Sequence, residues 1–359
     1  MTPYIHHEKY REEFSMNVAV ACDITPKMIS VVFYDLSLKR RIAKSIAAGQ
    51  ETDCENAAAA LAKLVFLSAR EHNIPAAAVR SIGCCAPIDI SGALEEQLDP
   101  TDMFLRPDTK VDVIPFVSAY ADGRFSSFLA TVPFSEGVMA AELGSTLNIG
   151  YFTGGRLCLA SFRLSGAFDG SGLESGMAAE FGAIDQVNRD EYGTLCYSVI
   201  GDEDSCGIAP SAALDAVTLM LGSGVLDNDG IMTDRDMFFI GEDYFISQSD
   251  VRKVQSDKAG AAAALQSIFN KYGMPEKLYL TGEVFFSNGM ERLTQLSVFP
   301  EVVAEKAHFG VGASIQGVIR CLEDESFREE LETLIMSAED ITEALSEDFD
   351  DLYITNLTF

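Results

Sequence analysis

Asp23, Thr25 and Lys27 fall within one short polar turn and together offer a carboxylate, a hydroxyl and an ammonium group. An aspartate can hold a hydrated magnesium ion, and a lysine can present its cation to phosphate. The same Asp-Ile-Thr-Pro-Lys run is also ordinary turn chemistry, and Pro26 removes an N–H and fixes φ, so both readings stand. Gly144-Ser145-Thr146 sets one glycine beside two hydroxyls, a composition that lets backbone N–H groups and side chains face an oxyanion. Asp169, between Phe168 and Gly170, can orient water or a metal ion, or be an acidic turn residue. Gln255 and Lys258 are three positions apart, and on a helix they share one side as ligand donors or as a solvated polar face.

These residues need elements to hold them. Asn17 to Leu36 reads as a strand, a polar turn over Asp23 to Lys27, and a returning strand. Glu55 to His72 has helical spacing, Asn73 and Pro75 end it, and Val79 to Cys85 follows as a buried strand, which is an α/β signature. Val111 to Ile114 is a further short apolar run, followed by helix to about Leu129, and Pro133 to Gly137 closes the first half. Val138 to Leu147 and Leu157 to Phe162, with the turn Gly154-Gly155, repeat the opening hairpin, which suggests a duplicated architecture. Ser211 to Gly224 is helical, and a longer helix spans about Ser249 to Tyr272, with Ser249 as N-cap and Gly273 as its end. Lys277 to Leu280 is a strand running into Thr281-Gly282-Glu283, and Asn288 to Leu296 is helical. Gly310-Val-Gly312 opens a helix over Ala313 to Leu322, and the acidic remainder ends in an apolar run, Leu352 to Phe359, expected to dock on the body.

The chain's 359 residues exceed what one small core accommodates, and 48% apolar content supports two packed lobes. The boundaries expected are a leader over 1–15, lobe I over 16–137, lobe II over 138–309, and C-terminal helices and tail over 310–359. The 55 acidic against 26 basic residues give a net charge of −29, a field that repels phosphate backbones and anionic membranes. Nucleic acid and membrane partners are therefore not expected. Eight scattered cysteines have no two-residue chelating spacing and read as buried reduced thiols, and His6 and His7 sit in the loose leader. The charged N-terminus lacks a signal-peptide core and no apolar run reaches the roughly 18 residues of a membrane span, so a cytoplasmic location is expected.

In order, the turns fall where the acetate and sugar kinase, heat-shock chaperone and actin superfamily places two phosphate loops and an adenosine loop. The match sharpens toward the reductive activators of corrinoid proteins, which use ATP to help reduce an inactivated cobalt centre. Glu142-Leu-Gly144-Ser145-Thr146-Leu-Asn148 resembles that family's Asp-Ile-Gly-Thr-Asn-Gly-Glu. Ser165-Gly166-Ala167-Phe168-Asp169-Gly170, Ser175-Gly176-Met177 and Gly182-Ala183-Ile184 are similar to its Gly-Pro-Ala-Phe-Glu-Gly, Cys-Gly-Met and Gly-Ala-Ile. Ile246-Ser-Gln248-Ser-Asp250-Val251 resembles Ile-Thr-Gln-Lys-Asp-Ile, and Tyr279-Leu280-Thr281-Gly282 resembles Tyr-Leu-Ala-Gly. The similarity runs from about Asn17 to the C-terminus and is most specific in the second half.

The resemblance implies a two-lobed actin-like ATPase fold, ribonuclease H-like and duplicated, with loops around Asp23, Gly144 and Gly282 converging on an interlobe cleft. It implies ATP or ADP with magnesium as cofactors. Asp23 and Glu142 would be the metal carboxylates and Asp23 and Asp169 the catalytic ones. Thr25, Lys27, Gly144, Ser145, Thr146, Gly166, Gln255, Lys258, Gly282 and Glu283 would be the nucleotide contacts. Several departures weaken that machinery. The family's Asp-Ile-Gly-Thr-Thr-Thr becomes Asp23-Ile-Thr-Pro-Lys-Met28, Leu147 and Asn148 replace a glycine and a glutamate, and Glu283 replaces a second adenosine-loop glycine. No aspartate is placed after a phosphate loop as a kinase base. The family's iron–sulfur domain has no counterpart in these cysteines, so no iron–sulfur cluster is expected. The expected function is an accessory protein of corrinoid methyl transfer with degenerate phosphate loops, partnered by a corrinoid protein or corrinoid methyltransferase component and dimeric with itself. The alternative is a non-catalytic corrinoid-protein-binding protein.

Overall fold

A computed structural model of the chain describes residues 16–25, 28–48, 54–87, 90, 94, 96–114, 122–202, 204–233, 235–310 and 312–359. The expected leader, with His6 and His7, and the candidate phosphate ligand Lys27 lie outside these residues. The chain forms two compact units: Met1–Pro133 with Gly312–Ser337, and Phe134–Val311 with Ala338–Phe359.

In the first unit β1 (Val18–Ile24), β2 (Met28–Asp35) and β3 (Arg40–Ala48) form an antiparallel meander. Helix α1 (Cys54–Glu71) then crosses to β4 (Val79–Cys85), which pairs parallel with β1, and β5 (Lys110–Val113) pairs parallel with β4. The sheet order is β3-β2-β1-β4-β5. Central β1 is flanked on both edges and buried along its length apart from Asp23, which is why its sequence is a continuous apolar run rather than an alternating one. Val20, Cys22, Val31, Phe33, Leu61, Val65 and Ile82 lie in the core it shares with α1. Helix α2 (Gly123–Leu129) follows, and the helices Ala313–Glu323 and Glu325–Met336 return to this unit.

The second unit repeats the plan. Strands β6 (Val138–Leu143), β7 (Thr146–Thr153) and β8 (Arg156–Arg163) form an antiparallel meander. Then come a small sheet of β9 (Ala183–Arg189), β10 (Leu195–Val199) and β11 (Gly207–Ile208), helix α3 (Pro210–Gly222), and the hairpin β12 (Met237–Ile240) with β13 (Tyr244–Ser247). After helix α4 (Gln248–Tyr272), β14 (Lys277–Thr281) joins parallel to β6 and β15 (Ala307–Phe309) parallel to β14, while β16 (Glu339–Asp340) adds to β8. The large sheet runs β15-β14-β6-β7-β8-β16. Read from the third meander strand, both large sheets therefore share one order: third, second, first, then two parallel strands. The expected duplication is a matter of strand topology, and the fold is the actin-like α/β type.

Two expectations need correction. The sequence reading places no strand at β3, runs Val138 to Leu147 through the Gly144-Ser145 turn and so misses β7, and places none between Ala183 and Ser247, where the structure has five; four of those five have two to five residues and β9 is polar in its second half, so the apolar signal of a buried strand is missing. The long helix is capped by Ser247 rather than Ser249: the Ser247 hydroxyl accepts from Asp250 N at 3.1 Å while the Asp250 carboxylate accepts from Ser247 N at 3.1 Å. That reciprocal pair satisfies two backbone donors at once, which a cap at Ser249 would leave open. Within α4, Ala259 and Ala261 to Ala264 are wholly buried, and these small side chains let the helix axis lie close to its neighbours.

Candidate functional site

At the end of β1 in the first unit, the Asp23 carboxylate accepts from Arg124 Nε at 2.9 Å and lies 3.5 Å from the Cys85 thiol. Burial is the main cause that pushes the Cys85 and Cys22 thiols above their ordinary range, so both are neutral packing groups rather than thiolate nucleophiles. Asp122 caps α2 by accepting from Phe125 N at 2.8 Å, and burial holds its carboxyl above the usual carboxylate range. The Thr25 hydroxyl closes the hairpin, accepting from Met28 N at 2.8 Å and donating to Met28 O at 3.0 Å. The carboxylate and hydroxyl expected for magnesium and phosphate thus hold an arginine and a turn.

In the second unit the chain from Ser165 to Gly176 folds into a tight glycine-rich loop. A Cβ on Gly170 would stand 2.3 Å from Met177 O, and one on Gly176 2.1 Å from Gly170 O, so the two strands of the loop pass where only hydrogen fits. Gly166 contributes by its backbone, its carbonyl accepting from Gly172 N at 2.8 Å. What fixes the loop is α4. Asp257, wholly buried, accepts from Ser165 N at 2.5 Å and Ala167 N at 2.8 Å, Asp250 accepts from Glu174 N at 3.0 Å, and Lys253 donates to Gly172 O. Burial is the largest influence on Asp257 and raises its carboxyl above the ordinary range, against the lowering effect of its amide donors.

Gly144 and Ser145 form the turn between β6 and β7. Ser145 N donates to Asp169 Oδ2 at 2.9 Å, and Asp169 Oδ1 accepts from Ser171 N at 2.9 Å, so Asp169 ties this turn to the glycine-rich loop. Gly144 lies outside the left-handed region, and a Cβ there would only reach ordinary contact, 3.7 Å from Asp169 Oδ2. Thr146 begins β7, and its carbonyl accepts from Gly144 N at 2.9 Å. Glu142, expected as a metal ligand, accepts from Asn148 Nδ2 at 3.2 Å. Gly282 has φ of 134°, and its Cβ would lie 2.1 Å from Leu143 O, so the ends of β14 and β6 meet through this glycine. Next to it, Glu283 reaches Ala179 N at 2.9 Å.

The structure places the two residues expected on the adenosine side differently. Gln255 and Lys258 are 5% and 2% exposed, so they form neither a ligand face nor a solvated one. Gln255 Nε2 donates to Asp229 O at 3.1 Å, and Lys258 donates to Asn356 O at 2.8 Å and to Thr358 O, with its ammonium 5.6 Å from the centre of the Phe359 ring. The physical reason for Lys258 is the C-terminal segment, the helix Ser346–Thr355 and the tail, with Ser256 Oγ 3.0 Å from Tyr353 OH and Phe359 N donating to Asn228 O at 2.9 Å, whereas Gln255 is covered by the Asp229–Gly230 turn. Sequence reasoning also missed Asp215 on α3, which is buried and accepts from Arg292 Nε at 2.6 Å, Asn288 Nδ2 at 2.9 Å and Val187 N at 2.9 Å. Burial raises its carboxyl above the usual range, and the Arg292 guanidinium opposes that. An aspartate inside an apolar helix is the signal that could have marked Asp215, whereas Asp257 stands among Gln255, Ser256 and Lys258 with no such signal.

These residues do not fit magnesium and nucleotide as they are arranged. The amides of Ser145, Ser165, Ala167, Glu174 and Ala179 face the protein's own carboxylates. Among the described residues no group of three His, Cys, Asp or Glu side chains could hold a metal ion, and no helix is long and apolar enough to cross a membrane.

Residues 139–359 match the family described as the C-terminal domain of RACo, the ASKHA domain. A curated relative, the corrinoid activation enzyme RamQ of Eubacterium limosum, is 24% identical over 202 residues, covering 48% of this chain and 34% of that protein. A solved structure, a reductive activator for corrinoid, iron-sulfur protein, superposes with a TM-score of 0.78 at 17% identity over 96% of this chain and 66% of that one. The chain thus spans about a third of the curated relative's length and just under two thirds of the solved structure's. Since the family match covers more than half of the chain and the fold agrees with it, this chain belongs to the family of RACo C-terminal ASKHA domains.

Proposed function

We propose that this chain is an accessory protein of corrinoid activation that docks on a corrinoid protein or corrinoid methyltransferase component and does not turn over ATP. Family membership supports the corrinoid side of this reading. The observation that carries the rest is Glu283, which stands in place of the adenosine-loop glycine that the resemblance implies and whose carboxylate accepts from Ala179 N, together with Lys258, buried and donating to Asn356 O of the tail. A nucleotide site works by presenting open amides and a cation to phosphate; here the Ala179 amide is satisfied by Glu283 and the Lys258 ammonium by carbonyls of the tail. Loops closed in this way keep their shape without ligand, which suits a protein whose task is to present a surface. In this reading the chain acts in the cytoplasm, as a twofold dimer, without an iron–sulfur cluster of its own and without nucleic acid or membrane partners.

Size-exclusion chromatography and calorimetry with a purified corrinoid methyl-transfer protein test the reading. A complex formed in the absence of nucleotide supports it; no complex with or without Mg–ATP removes the corrinoid role.

A further inference from the structure

The edge strands of the two large sheets differ in length. Three of the four are short: β5 has four residues, β15 three and β16 two. The fourth, β3, has nine, more than any other strand described, and its outer side is unpaired among the described residues. At about 3.4 Å per residue that edge runs for about 30 Å. An open edge of such length is a template for another strand, and proteins ordinarily shorten or cover one.

The composition of β3 also departs from that of the chain. Lys39, Arg40, Arg41 and Lys44 put four cations into six positions of a protein whose net charge is −29, and all four are exposed. The ion pairs among the described residues involve other side chains. The carboxylate nearest in sequence, Asp35, is buried and accepts from Ser37 N at 2.9 Å and Leu38 N at 3.0 Å. A register shift groups the charges: Tyr34 pairs with Arg41 but Val32 with Lys44, so Arg41 and Lys44, three apart, stand on one face of the edge, followed there by Ile46, 46% exposed. Ser45 turns to the other face, its hydroxyl donating to Ser68 Oγ on α1 at 2.7 Å.

We infer that the outer edge of β3 docks an extended acidic segment of a partner protein, which adds to this five-stranded sheet as a sixth strand. The free N–H and C=O groups of the edge supply backbone bonds, Arg41 and Lys44 meet carboxylates on one side of the incoming strand, and Ile46 meets an apolar side chain. A second copy pairing through its own β3 would set these cations against their like. Phosphate polymers and anionic bilayers meet the repelling field of the whole chain; a segment with a few carboxylates meets less of it and gains backbone bonds that neither of them can make. This surface is independent of the glycine loops and of the corrinoid reading.

The test is fluorescence anisotropy of labelled peptides of about ten residues titrated with the full chain: alternating Glu-Val, which can extend and pair, and alternating Glu-Pro, which carries the same charge but lacks the N–H groups of every second residue. The expected result is saturable binding of Glu-Val, weakened about threefold or more between about 0.05 M and about 0.3 M salt, and binding of Glu-Pro about tenfold weaker or less. In the double variant Arg41→Glu, Lys44→Glu, with circular dichroism reporting the fold, affinity for Glu-Val falls by about tenfold or more. Equal binding of the two peptides overturns strand addition. No binding of Glu-Val, or equal binding by the folded double variant, overturns the site and leaves the cations as guards against edge-to-edge aggregation. A uridine oligonucleotide and phosphatidylserine vesicles are run alongside, and tighter binding of either overturns the assignment to a protein segment. Should the double variant not fold, Arg41→Gln with Lys44→Gln replaces it; if neither folds, the wild-type contrast between the two peptides decides.

Discussion

Alanine at Gly282 would put a Cβ 2.1 Å from Leu143 O, where a carbon and an oxygen need more than 3 Å. At φ of 134° an L residue is strained by about 1–2 kcal/mol, and forcing β14 away from β6 adds an overpacking cost of about 1–3 kcal/mol. Gly282→Ala should therefore lose about 2–5 kcal/mol of stability. Gly144 is the internal control. Its Cβ would be 3.7 Å from the nearest atom and its φ lies outside the left-handed region, so Gly144→Ala loses only unfolded-state freedom and should be neutral or stabilising by about 0.4–1 kcal/mol. The chain has no tryptophan, so urea unfolding is followed by far-UV circular dichroism. With m of about 2–3 kcal/mol/M, the midpoints of the two variants should differ by about 0.7 M or more. Equal midpoints would refute the claim that Gly282 is kept for the closure of β14 on β6.

Arg292→Met leaves the buried Asp215 charge without its guanidinium and should cost about 3–5 kcal/mol at neutral pH. Burial raises the folded-state pKa of Asp215, so the variant's penalty is full above that raised value and shrinks as pH falls through it toward the unfolded carboxylate range; urea midpoints at pH 7 and pH 4.5 should converge in acid, and parallel curves would refute the pairing. Lys258→Met removes the donor to Asn356 O and Thr358 O, and hydrogen exchange at the Phe359 amide should accelerate by about tenfold or more while the sheet amides are unchanged. Burial lowers the folded-state pKa of Lys258, so in the wild type its contribution becomes more favourable as pH rises through that lowered value toward the unfolded lysine range; a tail that stays protected in the variant would refute its role as a latch.

The fold was legible where burial leaves a simple pattern. Val79–Cys85 is a buried strand with the same limits in sequence and structure, and the opening hairpin shows as paired apolar runs around Asp23, while the third strand β3 and the strand β7 escape the reading, which makes each meander look like a hairpin. The site was legible only as a set of turns. Asp257 lies in an alanine-rich helix and meets amides of Ser165 and Ala167 some 90 residues away, a pairing no local spacing encodes. Gln255 and Lys258 look like a polar helix face because what buries them is distant in sequence: the Asp229–Gly230 turn about 26 residues before Gln255, and the tail about 100 residues after Lys258. Glu283 beside Gly282 is plain in the sequence, but its target, Ala179 N, belongs to a loop the sequence marks only by its glycines.

Calorimetric titration of Mg–ATP into the wild-type chain, with phosphate release measured on the same sample, bears most directly on whether these loops are held by the protein's own carboxylates. The account predicts no saturable heat at millimolar nucleotide and phosphate release equal to that of buffer. Micromolar binding accompanied by steady hydrolysis would contradict it.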